Sequence, residues 1–118
     1  MPDPKQATPY YTLVTGQSPL IATAIHDGHT VRENISSLFS LSPDERLREE
    51  DPFTAGWVGI TDNQIIGLNS RFELDLNRAR EKAIYRKPED AWGLTVWQDE
   101  LPEELAQESA KAAFDAAL

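Results

Sequence analysis

The chain has 118 residues, enough for one domain with a modest core, and carries a formal net charge of −9. That acidity argues against nucleic acid and anionic membrane as partners, since both recruit basic surfaces. There is no cysteine, so disulfides and thiolate ligands are excluded and any transition-metal site must be built from His, Asp and Glu.

Residues 1–9 hold three prolines and no apolar periodicity, which predicts an extended or disordered lead-in to a single α/β domain over 10–118. A first strand is expected over 10–14, closed by the turn-like Thr15-Gly16-Gln17-Ser18-Pro19. Residues 20–25 form a continuous apolar run, expected as a strand buried on both faces of a parallel or mixed sheet. Helical spacing over 31–41 places Ile35, Leu38 and Phe39 on one side. Ser42-Pro43-Asp44-Glu45 reads as a capped helix start, carrying Leu47 and ending near Asp51-Pro52.

Strands are expected again at 57–60 and 64–68, around the turn Thr61-Asp62-Asn63. Over 71–76 the apolar Phe72, Leu74 and Leu76 alternate with Arg71, Glu73 and Asp75, the period of a half-buried strand. Residues 79–90 read as a charged loop over an active-site mouth. A last helix is expected over 102–117, with Leu105, Ala112, Ala113 and Ala116 inward. Trp92 and Trp97 are expected as core or rim aromatics. Strands interleaved with helices define an α/β fold with a mixed or parallel sheet and flanking helices. No apolar run reaches the length of a membrane span, and the N-terminus lacks the layout of a secretory signal, so a cytoplasmic location is expected.

Two stretches carry chemistry. The strand at 20–25 runs into His26-Asp27-Gly28-His29, and loops leaving buried strand ends are favoured ligand sites in open α/β sheets. His26 is a candidate metal ligand there, or a histidine that only bonds the following turn. Asp27-Gly28 reads chiefly as a turn, with Gly supplying a backbone conformation that other residues resist. The second stretch ends in Asn77-Arg78, an amide beside a guanidinium fork suited to a planar carboxylate. Arg71 and Arg78 serve either that grip or the neutralisation of Glu73, Asp75 and Glu81; Asp75 is expected to orient one of them.

These segments, with Leu47-Arg48-Glu49-Glu50-Asp51-Pro52-Phe53-Thr54 and Pro88-Glu89-Asp90-Ala91-Trp92-Gly93-Leu94, occur in the order found in a known family. From Pro19 onward the chain resembles the N-formylglutamate amidohydrolases, a branch of the zinc carboxypeptidase-like hydrolases. The resemblance implies an incomplete zinc carboxypeptidase/phosphorylase-hydrolase-like domain corresponding to the N-terminal half of such enzymes. It implies one zinc ion, with His26 as ligand and Glu50 ranked above His29 and Asp51 as its acidic or second partner. Glu49-Glu50-Asp51 also reads as a plain charge run at a helix end.

In the same resemblance Arg71 polarises the scissile carbonyl, and Asn77 and Arg78 hold the carboxylate of a small N-acyl acidic amino acid. Cleavage would follow attack of zinc-activated water on the amide. The family also uses a downstream histidine ligand and a catalytic carboxylate, and no histidine follows His29 in this chain. A half-built sheet leaves an apolar edge, so a homodimer burying more than about 1,000 Å², a complementing chain, or low stability is expected. The alternatives are a non-catalytic carboxylate-binding module and one half of a split enzyme.

Overall fold

A computed structural model describes residues 10–115, so the lead-in at 1–9 and Ala116 lie outside the described residues. Three strands form one mixed sheet: β1 (Tyr11–Val14), β2 (Ile21–Ala24) and β3 (Asn63–Gly67), in the order β1-β3-β2. The central β3 pairs antiparallel with β1 (Tyr11 opposite Gly67) and parallel with β2 (Ile21 opposite Asn63). Helices α1 (Glu33–Ser36), α2 (Pro43–Glu49) and α3 (Glu103–Ala110) complete a small mixed α/β domain. Among the described residues no helix is long and apolar enough to cross a membrane.

The loop from β1 to β2 is fixed by the start of β3. Asp62 accepts the backbone N–H groups of Gln17 (2.9 Å) and Ser18 (3.1 Å), and Asn63 Oδ1 accepts that of Gly16 (2.7 Å). Helix α2 starts as its residues dictate: Ser42 Oγ accepts the Glu45 N–H, and Glu45 returns a bond to the Ser42 N–H.

Most of the core lies away from the sheet. Ile35, Phe39, Phe72, Leu74, Tyr85 and Trp97 are its large buried members, joined by small residues of α3. Phe39 and Trp97 stack at 4.4 Å, and Trp97 Nε1 donates to the Tyr85 carbonyl (2.8 Å).

Several elements differ from their sequence patterns. Residues 20–25 are not covered on both faces: β2 is an edge strand, Ile21 is 71% exposed and only Ala24 is buried. The helix expected over 31–41 is a single turn, because Phe39 leaves it to bridge to Trp97. Residues 57–60 belong to a 3₁₀ segment, Thr54–Ile60, rather than a strand; its two glycines weaken any strand preference. The loop at 79–90 contains two short 3₁₀ turns, with Ala83, Ile84 and Tyr85 buried between them. The last helix passes into a π-helical turn at Lys111–Asp115.

The largest departure is at 71–76, which is a turn and not a strand. Ser70 accepts the N–H groups of Phe72 at Oγ (3.2 Å) and of Glu73 and Leu74 at its carbonyl (3.0 and 3.3 Å). Phe72, Glu73, Leu74 and Asp75 are then buried consecutively. The alternation assumed that charged side chains face water. Here both carboxylates are fully bonded inside, which removes the cost of burying them.

Candidate functional site

Asp75 is the centre of the site. Its side chain is almost wholly buried, with Oδ1 2.6 Å from His26 Nε2 and accepting the Asn77 N–H at 2.8 Å. Oδ2 accepts the Tyr85 hydroxyl and lies 3.5 Å from Arg71 Nη2 and 3.6 Å from Arg78 Nε. Burial pushes the Asp75 pKa up, but the bonds from His26, Tyr85 and the Asn77 amide outweigh it and hold the value down to about 2. Burial, followed by the bond to Asp75, pushes Tyr85 up to about 12.

A carboxylate only accepts, so His26 Nε2 carries the proton of this bond, and Nδ1 is the nitrogen left to face other groups. Nδ1 faces Asp51 Oδ2 at 3.5 Å. The loop after α2 is tied to this point by the Asp51 N–H, which donates to the His26 carbonyl (3.0 Å).

The arginines are held by aromatic rings as well as by Asp75. Arg71 stacks over Trp92 (4.8 Å to the ring centroid), donates from Nε to the Tyr85 hydroxyl (3.0 Å) and reaches Asp51 at 3.8 Å. Arg78 stacks over Tyr85 at 4.4 Å. Half-exposed Trp92 takes a left-handed backbone (φ 42°), a conformation that is a genuine outlier for a bulky residue. Asn77 is exposed and lines, with His26 and Asp51, a cleft of about 580 Å³ along β2 and the Thr54–Ile60 segment.

Glu50 and His29 form a separate pair. Glu50 is buried, with Oε1 2.6 Å from His29 Nδ1 and Oε2 accepting the Ser70 hydroxyl. Arg46 Nη1 donates to the His29 carbonyl (3.1 Å) and sits 3.8 Å from Glu50. Both Glu50 oxygens and one His29 nitrogen are therefore committed. Among the described residues no group of three or more His, Asp or Glu side chains is placed to hold a metal ion.

The structure thus gathers His26, Arg71, Asn77 and Arg78 around Asp75, while Glu50 and His29 bind one another. Asp51, ranked last of the acidic candidates in the sequence, is the carboxylate that faces His26. Its only signal was adjacency to Glu50. Tyr85 carried no signal, since its role depends on the turn that brings Asp75 beneath it. Gly28 has a different reason from the turn expected of it: its φ is not positive, and an added Cβ would meet the Leu68 carbonyl carbon at 2.4 Å.

The donor set fits zinc in part. Tetrahedral bonds of about 2.0–2.1 Å put two ligand atoms roughly 3.4 Å apart, close to the separation of His26 Nδ1 and Asp51 Oδ2. The Asp75–His26 bond has the form of the carboxylate contact that orients a histidine ring from outside a ligand set. In comparison with known proteins, no family model, curated protein or solved structure matches the chain.

Proposed function

We propose that the chain is the N-terminal half of an N-formylglutamate amidohydrolase-like zinc hydrolase, acting on the amide of a small N-acyl acidic amino acid. The observation that carries this reading is the alignment of Asp75, His26 and Asp51, in which Asp75 engages Nε2 and Nδ1 faces a second oxygen donor at 3.5 Å. In this reading the fold is an incomplete zinc carboxypeptidase-like domain.

Zinc would be held by His26 and Asp51, with a third ligand supplied by a complementing chain or a second copy. When bound, the ion polarises the amide carbonyl and lowers the pKa of water. Arg71, anchored on Trp92 and the Tyr85 hydroxyl, stabilises negative charge developing on the carbonyl oxygen. Arg78 turns Nε toward Asp75, leaving its terminal nitrogens to hold the substrate carboxylate beside the Asn77 amide. Asp75 keeps these groups in fixed relation and holds the Nε2 proton of His26.

A complementing surface has a natural place along β2. Leu20, Ile21, Trp57 and Ile60 are each 59% exposed or more at this open edge, and an unpaired apolar edge invites a further strand.

A second reading, the non-catalytic carboxylate-binding module, is favoured by the fact that Asp75 anchors Arg71, Arg78 and the Asn77 backbone N–H through direct contacts of its own. The test is to incubate the zinc-loaded chain with N-formylglutamate and follow amine release, with His26→Ala as control. Release that needs both zinc and His26 supports the hydrolase. Substrate binding without zinc or turnover supports the module.

A further inference from the structure

Five of the eleven cations of this acidic chain fall within residues 78–87: Arg78, Arg80, Lys82, Arg86 and Lys87. Four of them, all but Arg80, line one open cleft of about 510 Å³, floored by the buried Ile84. Two carboxylates share its lining. Asp90 is occupied, since its Oδ2 accepts the N–H groups of Arg86 (3.0 Å) and Lys87 (3.2 Å), and Glu81 stands exposed at the rim. Arg86 is committed to Glu103 at 2.8 Å. Lys82 and Lys87 make no ion pair within 4.0 Å among the described residues; Lys87 acts on Asp90 only through space, and both ammonium groups stay open to a ligand.

The cleft adjoins the site already described. Arg78 lines it, while its neighbour Asn77 lines the His26 cleft. We propose that the cleft beyond Arg78 is an anion subsite, in which Lys82 and Lys87 take a multivalent oxyanion, either a phosphate or a pair of carboxylates. That this anion is the far end of the substrate rests on the hydrolase reading; binding of the anion itself does not. In a chain whose net charge repels anions, a local surplus of cations at the end of a carboxylate grip selects ligands with a second charged group. A monoanionic N-acyl amino acid leaves both lysines unused.

The test is calorimetric titration of the full chain at low ionic strength with inorganic phosphate and, separately, with glutarate. The subsite predicts saturable one-to-one binding of at least one probe. Lys82→Ala/Lys87→Ala should weaken it by about tenfold or more, while Arg48→Ala on α2 leaves it unchanged. Saturation by phosphate alone assigns a phosphorylated ligand, and saturation by glutarate alone assigns a dicarboxylate. Absence of binding to both, or binding that survives the double substitution, overturns the subsite. A chain that binds the probe yet never hydrolyses an amide keeps the subsite and removes only its assignment to a hydrolase substrate.

Discussion

Asp75 Oδ1 meets His26 Nε2 at 2.6 Å across 49 residues of chain, and the same carboxylate is within 3.6 Å of both Arg71 and Arg78. One buried anion therefore orients a histidine ring and two guanidinium groups.

Replacing Asp75 by Asn tests that orientation on the histidine side. The amide presents a donor as well as an acceptor, so the ring is free to flip or to protonate at Nδ1. Zinc affinity should fall by about 10–100-fold, the cost usual for an outer-shell partner of a metal histidine. A titration with a competing chelator measures it, and circular dichroism checks that the fold is retained. Unchanged affinity would show that Asp75 does not orient His26.

The depressed pKa of Asp75 has a sign in stability. Its folded value, about 2, lies below the ordinary 3.8, so the native state favours the ionised form. The resulting stability is complete above the unfolded pKa and is lost as pH falls from about 4 toward 2. Urea unfolding between pH 5 and pH 2 should show this loss, with a shallower slope for Asp75→Asn. Tyr85 acts at the opposite end: its raised value means stability is present below pH 10 and is lost as pH rises toward 12.

Glu73 holds together parts of the chain that are far apart in sequence. It accepts the Tyr10 hydroxyl, the Arg32 N–H (2.9 Å), Asn69 Nδ2 (3.1 Å) and Ser109 Oγ (3.1 Å), with Arg32 Nε at 3.3 Å. Burial, followed by the charge of Glu73, raises the Tyr10 pKa, so the hydroxyl stays a donor. Glu73→Ala should cost about 3–5 kcal/mol, because it breaks the buried carboxylate's pairing with half-buried Arg32 and leaves the Tyr10, Asn69 and Ser109 donors without this acceptor. Chemical denaturation measures this, and a loss near zero would mean that the network relaxes onto water.

The start of α2 offers a smaller and cleaner perturbation. Ser42→Ala removes the side chain that accepts the Glu45 N–H, and the expected loss is about 1 kcal/mol. Thermal unfolding, with Ser42→Asp as a variant that keeps an acceptor, separates the cap from general surface effects.

Features governed by neighbouring residues were legible in the sequence. The α2 cap needed only four residues, and the strands at Tyr11–Val14 and Asn63–Gly67 followed from local apolar pattern. Features governed by distant contacts were not. The alternation over 71–76 encoded the burial of Phe72 and Leu74, but it gave no sign that Glu73 and Asp75 would turn inward to partners such as Tyr10 and His26. At the site, Asn77 and Arg78 were legible as neighbouring donors because they are adjacent in the chain. The pairing of His26 with Asp51 was not, since it depends on how the end of α2 docks beside β2.

The central claim is that His26, oriented by Asp75 and faced by Asp51, forms a zinc-binding site. It is tested most directly by calorimetric titration of the metal-stripped chain with zinc, alongside His26→Ala and Asp51→Asn. One-to-one binding that is abolished in His26→Ala and weakened in Asp51→Asn is the result expected. No binding by the parent chain, or binding indifferent to His26, would contradict the account and leave Asp75 as the anchor of a carboxylate grip alone.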